Sequence, residues 1–283
     1  MKTILTCTDG SSYAPSLYEH TAWAAKRAGA SVQVLHLLEQ EEALRGQNLA
    51  GSLGFDAGTD LLEELVRVDE AHNRVARLRG QAILKDAEKQ LRASGVAEVS
   101  SIQRHGVLVD SIPEFEKEAE LLVLGKRGEH ADFAKGHLGS NLERVVRIAK
   151  EPVMVASRVF EPISSFLIAF DGGESSLKAV HFAASHPLLK GLECHLLAVG
   201  KGHSELEREL HSAELALQGA DFTVSAQLVE GDADEVIAKK VEEDKIGLLA
   251  MGAYGHSKIR RMLIGSTTTA LVRDCHVPVL LFR

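Results

Sequence analysis

Apolar residues along the chain fall into short continuous runs, separated by longer stretches in which they recur every three or four positions. A short run rich in Val, Ile and Leu and bounded by Gly, Asp or Pro reads as a buried strand, whereas the longer period reads as an amphipathic helix. On this basis strands are expected at about 3–8, 31–38, 98–104, 120–124 and 152–157, and again at about 165–170, 193–199, 222–229, 247–251 and 277–282. Helical patterns fill the intervals, among them 12–28, with Ser11 or Ser12 as its expected cap, and 174–185. The alternation predicts an α/β protein with parallel sheets covered on both faces.

The pattern occurs twice. Ile4-Leu-Thr-Cys-Thr-Asp9-Gly10-Ser11 is echoed by Phe166-Leu-Ile-Ala-Phe-Asp171-Gly172-Gly173, and Gly29, Gly106, Gly125, Gly139 and Pro152 have counterparts in Gly191, Gly231, Gly252, Gly265 and Pro278. The offset falls from 162 at Gly29 to between 125 and 127 from Gly106 onward, so the first half carries about 36 extra residues between Gly29 and Gly106. Two tandem domains are expected, 1–158 and 159–283, joined near 157–165, with an insertion in the first around 40–95. The insertion begins with four glycines, an exposed loop, and continues as a long helical pattern from Asp60 to Ala93, an extended version of the corresponding helix in the other half.

Candidate chemistry lies in two glycine loops. Leu248-Leu-Ala-Met251 runs into Gly252-Ala-Tyr-Gly255, and Gly265-Ser266 follows just before a helical pattern at 267–274. This strand, glycine loop and helix start suits a phosphate: glycines let backbone N–H groups approach an anion, and the helix N-terminus adds partial positive charge. Ser266 is placed to cap the helix or to bond a phosphate oxygen. Gly125-Lys-Arg-Gly128 and Gly139-Ser140 repeat the arrangement after Leu121–Leu124, with one more residue in the loop. The first loop carries Glu129 and Asp132, which repel a triphosphate, partly offset by Lys126, Arg127 and Lys135; the second offers Lys258, Arg260 and Arg261.

Composition narrows the function classes. With 45% hydrophobic and 25% charged residues, the chain is ordinary for a globular protein, and a formal net charge of −8 argues against a nucleic-acid partner. No apolar run reaches membrane-spanning length and the N-terminus lacks a secretory pattern, so a cytoplasmic protein is expected. Cys7, Cys194 and Cys275 are odd in number and widely spaced, which points to buried thiols instead of disulfides or metal ligands.

A strand ending in Asp-Gly-Ser, a Gly-x-x-Gly loop nine residues before Gly-Ser, and a closing Pro-Val strand together resemble the universal stress protein family in its tandem form. The resemblance spans nearly the whole chain. It implies two Rossmann-like domains of the adenine nucleotide alpha hydrolase-like kind, each with a five-stranded parallel sheet, closing strands that lie against each other, and ATP binding where the glycine pattern is intact. By the same resemblance Asp171 faces the adenosine, Val199 lines the adenine pocket, Met251 and Gly252 contact the nucleoside, and Gly255, Gly265, Ser266 and the Thr267 backbone hold phosphates. Asp171 equally suits a turn before Gly172, and Met251 suits the core. A weaker first-half site would comprise Asp9, Leu37, Leu124, Gly125, Gly128, Gly139 and Ser140.

No metal site or nucleophile elbow is evident: the 13 histidines form no His-Glu-x-x-His pattern, and His130 and His137 have no cysteines nearby. Ser11, Ser12, Ser175 and Ser176 read as helix starts. Any ATP hydrolysis is expected to be slow, because phosphoryl transfer would lack most of its usual apparatus. Three functions remain open: regulatory binding of ATP, ADP or AMP, with or without Mg2+; a weak ATPase or phosphotransferase; and a nucleotide-independent protein that binds a partner. A homodimer of tandem chains is plausible by the same resemblance.

Overall fold

Five strands of the first half, β1 (Thr3–Cys7), β2 (Ser31–Leu38), β3 (Val99–His105), β4 (Ala119–Gly125) and β5 (Val153–Ala156), pair in the parallel order β3-β2-β1-β4-β5. The second half repeats that order with β6 (Ser165–Phe170), β7 (Glu193–Val199), β8 (Val224–Val229), β9 (Leu248–Gly252) and β10 (Val279–Phe282). The computed structural model describes residues 2–38, 55–126, 140–201, 204–254 and 265–283.

β5 and β10 pair antiparallel, Met154 opposite Leu280, and join the halves into one ten-stranded sheet. Both are buried along their whole length, as an apolar edge must be when no helix covers its rim. The outermost strands β3 and β8 carry exposed residues instead, Ser100, Arg104 and His105 in the first and Ser225 and Gln227 in the second.

Alternate side chains of each strand build two cores. Ile4, Val123, Met154, Phe166, Ile168 and Leu280 face α1 (Ala14–Ala28), α2 (Phe55–Ala93), α5 (Glu174–Ser185) and α6 (Ser204–Gln218). Leu5, Leu122, Val153, Leu167, Leu249 and Leu281 face α3 (Leu108–Phe115), α4 (Ser140–Ile148), α7 (Ala233–Glu243) and α8 (Ser266–Asp274). Each core crosses the β5·β10 seam, so the two halves share both.

The expected cap of α1 is corrected. Tyr13 occupies the N-cap position and no side chain caps the helix; Ser11 contributes only its carbonyl, to Ala14 N–H at 3.0 Å. Asp9 Oδ1 accepts Ser11 N–H at 2.9 Å, which folds the serine into a tight turn, and Pro15 in the first turn removes one donor that a cap would have served.

The connection from β5 to β6 is pinned. Ser16 Oγ donates to Ser157 O at 2.8 Å, and buried His20 places Nε2 3.1 Å from Ser157 Oγ. His20 Nδ1–H donates to Ser16 O at 2.7 Å, and burial holds its pKa below the usual value against that bond's opposing pull. Phe160 packs edge-on against the same ring at 5.0 Å.

Candidate functional site

The carboxyl ends of β6 and β9 lie side by side, Ala169 in register with Met251. The helix after β6 packs on one face of the sheet and the helix after β9 on the other. Connections that diverge in this way leave a crevice beyond the strand ends. The same divergence occurs at β1 and β4.

Asp171 follows β6 directly. Its Oδ1 accepts Gly173 N–H at 2.9 Å and the hydroxyl of buried Ser176 at 2.6 Å, so the carboxylate holds the turn that starts α5 while the residue stays exposed. Gly172 has φ +76°, and the Glu209 carboxylate of α6 lies over it where a side chain would stand. In the first half Gly10 has φ +70° and is covered by Ile83 of α2, 2.5 Å from where a Cβ would be. Equivalent turns are thus roofed by a carboxylate in one half and by a branched aliphatic in the other.

Met251 is 5% exposed and belongs to the core, and Val199 is half-buried at the end of β7. Gly252 has a packing reason as well: a Cβ there would meet Ser175 Cβ at 2.9 Å, so glycine lets the first turn of α5 close on the end of β9.

The start of α8 is tied to the same strand end. Gly265 N–H donates to Ala253 O at 3.2 Å, and Thr268 Oγ1 donates to Gly252 O at 3.2 Å. Gly265 is the N-cap, and Ser266 is the first helical residue, so the capping role considered for Ser266 is not taken. The first N–H bonded back into the helix is that of Thr269, to Gly265 O at 2.9 Å. The N–H groups of Ser266, Thr267 and Thr268 therefore lack intrahelical acceptors, at a helix end with no acidic residue in its first turn. The matching helix α4 has Glu143 in its first turn.

The crevice thus gathers Asp171, Gly252, Gly265, Ser266 and Thr267 around neighbouring strand and helix ends, with Val199 one strand further out. Gly255 and the basic residues Lys258, Arg260 and Arg261 lie outside the described residues. So do Gly128, Gly139, Arg127, Glu129, His130, Asp132, Lys135 and His137, as well as the side chain of Ser140.

In the first half Asp9 holds a turn, Leu37 is half-buried and Leu124 is 3% exposed. Gly125 borders a small depression with Tyr13, Lys126, Ala156, Ser157 and Arg158, whose lining does not include Asp9. Lys126, expected to offset acids in its own loop, donates to Cys275 O at 2.8 Å across the seam, at the carbonyl end of α8. Sequence reasoning missed this contact, the covering residues Ile83 and Glu209, and the contrast between Glu143 and Thr269; only the last was open to inspection, as a charge difference at aligned helix starts.

All three cysteines are free thiols. Burial pushes Cys7 and Cys194 up to about 12 and Cys275 to about 11.

The model of the universal stress protein family matches residues 1–157 and 198–283. The chain is 37% identical over its whole length to Universal stress protein Slr1230 of Synechocystis sp., covering 100% of both. It is 28% identical over 235 residues to Universal stress protein Rv2005c of Mycobacterium tuberculosis, 72% of this chain and 77% of that one. The crystal structure of a universal stress protein from Archaeoglobus fulgidus has the same fold, with a TM-score of 0.75 at 21% identity, covering 99% of this chain and 98% of the other. The chain belongs to the universal stress protein family. Its fold is that of tandem Rossmann-like units.

Proposed function

We propose that the protein binds an adenine nucleotide, ATP or its products ADP and AMP, in the crevice of a second domain spanning 159–283, and uses it as a regulatory ligand. The observation that supports this best is the start of α8, where three consecutive N–H donors without intrahelical acceptors stand at an acid-free helix end bonded to the end of β9. Such an end favours phosphate. Asp171, exposed beyond the neighbouring strand, supplies an acceptor suited to nucleoside hydroxyls, and Glu209 adds a second carboxylate over Gly172. Acceptors at one end and donors at the other match a nucleotide laid with its sugar toward β6 and its phosphates toward α8. Mg2+ would travel with the phosphates.

In the first domain, 1–158, Glu143 at the helix start and Ile83 over the turn make the equivalent site weaker. Binding would act by its differential affinity for one arrangement of the molecule. Free thiols suit the reducing conditions of the cytoplasm.

The test is to denature the purified protein, identify released nucleotide by mass spectrometry, and titrate the ligand-free chain with ATP, ADP and AMP. Adenine nucleotide in the extract and saturable binding are expected. No release and no binding at millimolar ligand would remove this reading in favour of a nucleotide-independent interaction protein.

A further inference from the structure

α2 runs for 39 residues, about 58 Å, and among its described side chains only those of its last third are buried against the sheet. Gly80, Leu84, Ala87 and Leu91 are buried, whereas Glu64 and every residue from Val66 to Arg79 are exposed. A helix projecting alone into water is marginal, and valine is a poor helix former there. This segment nevertheless exposes Val66 (55%), Val68 (44%), Val75 (64%) and Leu78 (57%), half of the large exposed hydrophobics among the described residues.

Their spacing is ordered. Val68, Ala71, Val75 and Leu78 follow each other at intervals of three, four and three, and exposed Ala82 continues the series. That is the seam of a two-helix coiled coil, and it is rotated away from the face formed by Gly80, Leu84, Ala87 and Leu91. The closing strands β5 and β10 offer no substitute for self-association, because they already pair with each other in the middle of the sheet.

Charge selects the occupant and its direction. Residues 64–70 hold Glu64, Asp69 and Glu70 against one arginine, while 71–79 hold Arg74, Arg77 and Arg79 and no acid. A parallel copy would set acid beside acid and arginine beside arginine. An antiparallel copy sets each acidic stretch along the partner's basic one, and its layers close on themselves: Val68 meets Leu78 and Ala71 meets Val75, larger against smaller. We propose that two copies of this chain associate through antiparallel pairing of the projecting part of α2.

Light scattering coupled to size exclusion should give twice the 30.6 kDa chain mass at micromolar concentration. V68E/V75E should return it to one chain mass with an unchanged circular dichroism spectrum at low temperature, because both residues are exposed within the single chain. Direction is read by cysteine pairing, with the protonated native thiols as silent background. Chains carrying V68C mixed with chains carrying L78C should cross-link under mild oxidation, and V68C alone should not. A monomeric wild-type chain, or a dimer that survives V68E/V75E, would overturn the proposal; cross-linking of V68C alone would replace antiparallel with parallel pairing and overturn its charge argument. None of these outcomes depends on whether the protein binds nucleotide.

Discussion

Asp171 carries two loads in the proposed site. Its Oδ1 holds the α5 turn through Gly173 and Ser176, and under the proposal the same carboxylate would face the nucleoside. Asp171→Ala should weaken ATP and ADP by a similar factor, since both share the nucleoside; loss of a hydrogen bond to a charged acceptor corresponds to about 1.5–3 kcal/mol. Asp171→Asn keeps an oxygen acceptor for the turn and separates the two loads, so it should fold like the wild type while still binding less tightly. Dissociation constants together with single-turnover rates decide the chemistry. If Asp171 only binds, any slow turnover recovers at saturating ATP; unchanged affinity with a collapsed rate would instead make it part of an enzyme mechanism.

The elements α4 and α8 start at equivalent places yet differ where it matters for an anion. Thr269→Glu copies Glu143 into the first turn of α8. An acid there favours the helix dipole by about 0.3–1 kcal/mol, so the melting temperature should hold or rise. The same charge repels phosphate, so ATP affinity should fall, and Glu143→Thr should improve the first domain's site. Calorimetric titration beside a thermal melt reads both signs; a Thr269→Glu chain that binds ATP as tightly as wild type would place the phosphates elsewhere. Replacing Gly265 by Val should likewise weaken binding by blocking backbone approach, and Gly139→Val should matter much less.

At the scale of the whole molecule, two neutral histidines stand where the halves meet. His20 holds the β5–β6 connection, and His186 packs on Phe182, accepts Leu188 N–H at Nδ1, and stands 3.2 Å from Glu120, which also pairs with Lys2. Burial depresses both pKa values, against the opposing pull of Ser16 O on His20 and of Glu120 on His186. The unfolded chain takes up these protons first, so stability is full above about pH 6.5 and is lost as pH falls from there through the depressed folded values. Each histidine contributes a slope of at most about 1.4 kcal/mol per pH unit. Denaturant melts between pH 7.5 and 5 should show that decline, and His20→Gln should flatten it; a stability independent of pH over this range would contradict the neutral, buried assignment.

The strands at 31–38, 165–170 and 193–199 were legible to the residue, because a strand between covering helices is dominated by apolar residues over a short span bounded by chain-reversing residues. The internal repeat was legible for the same reason: it depends on residue type and spacing along the chain. What covers a turn does not. Ile83 lies 73 positions from Gly10 and Glu209 lies 37 from Gly172, and only helix packing shows that both roof equivalent turns. The antiparallel pairing of β5 with β10 brings Lys126 to the end of α8, a contact 149 positions away that its own loop does not announce. Local periodicity determined the elements, their duplication and the chemistry each strand end can present. Tertiary packing decided which of those ends is roofed by an aliphatic, which keeps its donors at an acid-free helix start, and how two half-sheets close each other's edges, since these depend on contacts between residues that nothing in the linear order brings together.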